Sequence, residues 1–231
     1  MNWMTRLSLF SPLDGAAVAA MILMSLVMGR LCEHPPAGRA SVSVLMEEYR
    51  RDWMRQFVTR QPRIFDATVI DSLRQGTAFF ASACMIAIGG GVALLGNTDR
   101  VAGIAADLAL NAEALVIEVK MIFVLLFVAN ALLKFIWAHR LFGYCSVLMA
   151  AVPNEPGDPV AFHRAAQAAE VNITAARSFN RGMRSIYFAL GALGWLAGPE
   201  ALLATGIVTV LVLGRREFAS HSRDVMAARM P

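Results

Sequence analysis

From Gln75 to Thr98 the chain runs 24 residues without a charged side chain. About 20 mostly apolar residues in a helix, at about 1.5 Å each, cross a hydrocarbon core about 30 Å thick. This segment therefore reads as a membrane span, and it restricts the rest of the chain to folds that tolerate one. The composition agrees. Fifty-seven per cent of the 231 residues are apolar and 16 per cent are charged, against roughly 45–50 and about 25 per cent in soluble domains. Mean hydropathy is +0.54. Disordered, collagen-like and disulfide-scaffold classes are excluded, and a soluble enzyme is disfavoured.

Three further apolar segments accompany the first. Leu13 to Leu31 has Asp14 at its start and Arg30 at its end. No small-residue cleavage site follows it, so it reads as a retained anchor rather than a signal peptide. Another is built around Met121 to Leu133 and extends to Trp137, bracketed by Lys120 and by His139-Arg140. The last, Ser185 to Gly214, is interrupted only at Gly198-Pro199-Glu200. A Gly-Pro pair is strong turn punctuation, which predicts a hairpin of short helices near 185–197 and 200–214. The expected fold is all-α: a polytopic membrane helix bundle of about five spans, the last two a short hairpin, forming a single integral membrane domain over residues 1–231.

Arginine placement gives an orientation. With the N-terminus outside, 17 Arg and Lys residues lie inside, Arg6, Arg100 and Lys120 lie outside, and Lys134 falls within a span. That asymmetry predicts a multi-pass protein of the cell inner (cytoplasmic) membrane, N-terminus out and C-terminus in. The long connections, 41–75 and 153–184, are then cytoplasmic, and both read as helical. Val42, Leu45, Tyr49, Trp53 and Phe57 share one face of the first, and Pro62 is placed to start a helix that runs into the second span. Phe162, Ala166, Ala169, Ile173 and Ala176 form a stripe on the other, with Asp158 able to cap it. A helix over about 115–151 would be roughly 55 Å long, so its end stands clear of the bilayer and needs cover. A helical cytoplasmic layer is the expected cover.

Three stretches carry a family likeness. They are Arg63-Ile-Phe-Asp-Ala-Thr-Val-Ile-Asp71 leading to Gly89-Gly-Gly91; Leu133-Lys-Phe-Ile-Trp-Ala-His-Arg-Leu-Phe-Gly-Tyr144; and Asn180-Arg-Gly-Met-Arg-Ser-Ile-Tyr187 through Gly198-Pro-Glu200 to Arg215-Arg-Glu-Phe218. In these the chain resembles the membrane family numbered 599 among the domains of unknown function. The resemblance implies an integral membrane protein. It supplies no activity, ligand or catalytic residue.

The residues themselves give no catalytic set. His34, His139, His163 and His221 stand in no recognisable nucleophile or metal motif, so no catalytic, metal or cofactor site is assigned. Cys32, Cys84 and Cys145 are too scattered for a disulfide framework and read as free thiols. On the expected topology Cys32 and Cys145 should react from the cytoplasm, with Cys84 shielded. The arginines flank apolar segments rather than forming a run, so lipid rather than nucleic acid is the expected partner.

Three sets of residues remain. Lys134, with Asn130 one turn earlier, is the only charge well inside a span; it either snorkels or contacts a pore or substrate. Gly91, Gly194 and Gly198 serve helix packing, with Gly194 and Gly198 facing either a second copy or the rest of the hairpin. Glycines 89–91 would alternatively unwind the span, as in transporters. Arg74, Arg140, Arg181, Arg184 and Arg215 gather at the inner face. They serve positive-inside anchoring or, in the sharper reading, an anionic lipid or partner site. The function expected is a non-catalytic scaffold or modulator of a membrane assembly, with another membrane protein or self as partner. The alternative is a small oligomeric channel or transporter.

Overall fold

A computed structural model describes residues 9–96 and 114–228. Arg6, Thr98 and Arg100, used above to place span ends and orientation, lie outside the described residues, as does Arg229, one of the 17 counted inside. Every regular element among the described residues is helical: α1 (Pro12–Glu33), α2 (Val42–Thr59), α3 (Ile64–Leu95), α4 (Ala114–Ala150), α5 (Ala161–Ala192), a 3-10 turn (Leu193–Ala197), α6 (Pro199–Phe218) and α7 (His221–Ala227). Three are long and apolar enough to cross a membrane, namely Pro12–Glu33, Ile64–Leu95 and Leu115–Ala150. Apolar side chains also point outward from the bundle. Leu26, Phe79, Ile86, Leu126 and Leu211 are 61 to 77% exposed, an arrangement that water disfavours and lipid tails accept.

Local chemistry sets the helix ends. Ser11 caps α1 in a reciprocal box with Asp14. Ser41 caps α2 through Val44 N, while its hydroxyl donates to Cys32 O at 2.6 Å and so ties the end of α1 to the start of α2. Asp158 Oδ1 accepts from Val160 N at 2.9 Å just before α5. Helix α3 begins at Ile64, two residues after Pro62, so the proline precedes the helix rather than opening it.

At 37 residues, α4 matches the expected overlong helix, roughly 55 Å by rise. Its polar end is held by two arginines from other segments. Arg63 donates to the carbonyls of Val152 and Pro153, each at 2.8 Å, and Arg164 to that of Ala151 at 2.7 Å. Cations there complement the helix dipole and satisfy carbonyls of the turn that follows Ala150.

The apolar cover of this end comes from α2 and α5, as expected, but on shifted faces. Met54, Phe57 and Val58 of α2 and Ala161, Ala165, Ala168 and Ala169 of α5 pack on Leu141, Phe142, Cys145 and Met149. Phe162 instead faces outward, and Tyr49 turns to α7, donating to the Met226 carbonyl at 3.2 Å. The small alanines, rather than the large phenylalanine, meet α4 because they allow closer backbone approach.

No break separates the second connection from the fourth apolar segment. Helix α5 runs 32 residues, from the polar layer into the bundle. The hairpin turn lies where Gly-Pro places it: Gly198 has φ 130, a conformation that favours glycine, and Pro199 opens α6. Gly194 packs within this hairpin, where an added Cβ would meet the Ala201 carbonyl at 2.9 Å. Its close contacts among the described residues are thus with α6.

Glycines 89–91 lie in continuous α-helix, which corrects the unwinding alternative. Gly89 and Gly90 have open space around them, while a Cβ on Gly91 would meet Leu125 at 2.6 Å. The thiol expectation also changes. All three cysteines are free, but Cys32 and Cys145 are fully enclosed, like Cys84, so none is set to react readily from either side.

Gly182 is a packing test. A Cβ there would fall 2.7 Å from the Phe135 ring, whereas one at Gly143 would meet nothing within 4 Å. Overpacking costs about 1–3 kcal/mol, so Gly182→Val should lower the thermal unfolding midpoint in detergent. Gly143→Ala should leave it unchanged or raise it.

Candidate functional site

Charged residues at the polar end pair mainly between α5 and its neighbours. Arg177 grips Glu47 of α2 through Nε and Nη2, both at 2.6 Å, and Arg51 of α2 reaches Glu170 at 2.7 Å. Arg50 donates to Asn172, and Asn172 in turn donates to Cys145 Sγ at 3.5 Å. The Glu47 bond holds the Arg177 guanidinium above its ordinary value, as the Glu170 bond does for Arg51. Burial pulls Arg50 down. Helix α6 joins through Glu217, which accepts from both Ser43 N and Ser43 Oγ at 3.1 Å.

One turn further along α5 the pairing changes partner. Glu33, the last residue of α1, accepts from Arg181 at 2.8 and 2.5 Å and from Arg184 at 2.5 Å. The Arg181 guanidinium is raised by this bond. These groups edge a cleft of about 340 Å³ between α1, α4 and α5. Arg30 and Lys134 also line it, so four cationic side chains face one carboxylate. Deeper in the cleft, Asn130 donates to Ser185 Oγ at 3.0 Å, and Ser185 donates to the Phe127 carbonyl at 2.7 Å. Leu26, Phe127 and Phe188 supply apolar wall.

Chain direction makes the cleft amphipathic. Helices α1 and α4 run toward the polar end, and α5 runs away from it. Arg30, Glu33, Lys134, Arg181 and Arg184 therefore lie toward the polar end, with Leu26, Phe127 and Phe188 about one to two turns deeper. Arg184 is 7% exposed, and its Nη1 is enclosed without a hydrogen-bond partner among the described residues. A buried donor left unpaired is costly.

The sequence candidates thus divide. Lys134, Asn130, Arg181 and Arg184, read as two separate sets, line one cleft. Arg74 lies on α3, its carbonyl accepting from Thr77 Oγ1 at 2.7 Å and lying 3.3 Å from His139 Nδ1. Arg140 donates to the Tyr144 hydroxyl at 2.6 Å, its guanidinium lying 5.7 Å from the centre of that ring. Arg215 lines a different hollow with Arg216 and His221. Of the five arginines, Arg181 and Arg184 line the cleft, and Arg74, Arg140 and Arg215 do not.

Two residues of the cleft were missed. Glu33 and Arg30 looked like the ordinary end of a span, though a carboxylate among arginines at a span boundary is a readable sign of pairing. A second polar cluster was missed at the opposite end of the bundle, where Trp195 Nε1 donates to Asp14 Oδ1 at 2.7 Å and Lys120 lies 5.9 Å from the Trp195 ring centre. Its members are distant in sequence, so spacing gives no clue to it.

The family model described as "Protein of unknown function, DUF599" matches residues 16–222, and the chain belongs to that family. No curated protein and no solved structure matches it.

The two sets of pairs should differ in strength. In Glu33–Arg184 both side chains are nearly enclosed, at 12 and 9% exposure, whereas Arg177 of the Glu47 pair is 43% exposed. Double-mutant cycles on detergent stability should give about 1–3 kcal/mol of coupling for Glu33–Arg184. The Glu47–Arg177 pair should give about 0.2–1 kcal/mol.

Proposed function

We propose that this is a non-catalytic integral membrane protein of the cell inner membrane that scaffolds or modulates a membrane assembly through a cytoplasmic helical layer. The observation that carries the reading is the continuity of α5. Its first half is paired to α2 by Arg51–Glu170 and Arg177–Glu47, and its second half walls the cleft shared with α1 and α4. A partner seated on the layer and a ligand seated in the cleft would both bear on one rigid element.

The orientation proposed is N-terminus outside and C-terminus cytoplasmic, supported by the arginine bias of the connections. The hairpin of α5 and α6 completes the count of about five spans. In a cysteine-free background, Glu155→Cys and Ser222→Cys, both at exposed positions, should be labelled by an impermeant thiol reagent only from the cytoplasmic side. Labelling from the periplasmic side overturns the orientation.

A channel or transporter formed by several copies is the second reading, and Lys134 beside Asn130 in the cleft favours it. Proteoliposome flux separates the two. The scaffold reading expects no ion or solute flux above protein-free vesicles, and native purification should bring a membrane partner along. Flux that Lys134→Met abolishes would replace it with the channel reading.

A further inference from the structure

We propose that the cleft between α1, α4 and α5 binds the phosphate of an anionic phospholipid, with the acyl chains leaving along its apolar wall. This rests on the membrane placement above and not on the scaffold role.

Three observations converge. Arg30, Lys134, Arg181 and Arg184 line one hollow, and Glu33 offsets only part of their charge. Glu33 bonds Arg181 and Arg184, whereas neither Arg30 nor Lys134 has an ion-pair partner among the described residues. Arg184 is nine-tenths buried, yet its Nη1 makes no hydrogen bond among the described residues. A burial cost of this kind is ordinarily offset by an acceptor, and a phosphate supplies several oxygens to a planar guanidinium fork.

The shape selects the lipid over the free ion. Inorganic phosphate needs only the cationic rim. Here the rim continues into apolar surface of Leu26 and Phe127 on the membrane side, where an acyl chain would lie parallel to the helices. Basic pockets between membrane helices accept anionic headgroups by this combination. The volume of about 340 Å³ suits a headgroup and the first carbons of its chains, with the remainder in the bilayer. Glu33 then acts as a fixed counter-charge that positions two guanidiniums before the ligand arrives.

The test uses full-length protein, delipidated in a neutral detergent and titrated with short-chain phosphatidylglycerol, short-chain phosphatidylcholine or inorganic phosphate, with thermal shift and native mass spectrometry as readouts. Phosphatidylglycerol should bind saturably and more tightly than either alternative. Lys134→Met should weaken it about tenfold or more, since a charge-assisted contact is lost; Lys134 has no ion-pair partner among the described residues, so the variant should fold. Arg184→Lys, which keeps the charge and loses the fork, should also weaken binding. Arg140→Gln and Arg215→Gln remove equal charge elsewhere and should bind as wild type does. Equal affinity for inorganic phosphate and phosphatidylglycerol overturns the lipid assignment. Wild-type binding by Lys134→Met, or equal loss in the Arg140 and Arg215 variants, overturns the site. Lipid binding without any co-purifying partner would sustain the site and count against the scaffold alone.

Discussion

Close packing of α5 on α4 is the contact on which the remaining architecture depends. Helix α5 presents alanines to the polar end of α4 and Gly182 to Phe135 further along. Small side chains let two long helices run together, so that dispersion contacts accumulate along their length. Phe135 is fully buried and lies within an aromatic group containing Phe80 and Phe179, with ring centres 5.4 to 5.7 Å apart. A larger residue at 182 would displace that ring and separate α3, α4 and α5 together.

Once α5 is fixed, the polar chemistry follows its register. Side chains three or four apart share a helix face, so Arg177, Arg181 and Arg184 fall along one side. Arg177 meets α2, and Arg181 and Arg184 meet the end of α1. Glu33 can serve both of the latter because Ser41 bonds back to Cys32 and holds the α1–α2 corner in place. Enclosed pairs of this kind gain little net stability over apolar packing, but losing one partner is expensive. Their effect is to specify how α1, α2 and α5 meet.

Much of the fold was legible in the sequence because apolar length, Gly-Pro punctuation and helical spacing are local signals. The overlong α4 and the turn at Gly198-Pro199 follow directly from them. The faces of α2 and α5 were less legible: hydrophobicity favoured Phe162, while close approach favoured Ala161, Ala165 and Ala168. The boundary assumed at Ser185 was a change in polarity, not a change in backbone, and α5 passes through it unbroken. At the cleft, Lys134, Asn130, Arg181 and Arg184 were identified individually. Their meeting depends on the packing of three helices and on Glu33, which no spacing rule within one helix reveals.

The continuity of α5 is tested most directly by hydrogen exchange of the full-length protein in nanodiscs, resolved by peptide across residues 161–192. One helix packed along its whole length predicts slow exchange through the stretch around Asn180 to Ser185, at a rate similar to the segments on either side. A fast-exchanging segment there, dividing the helix into two protected blocks, would contradict the account and uncouple the polar layer from the cleft.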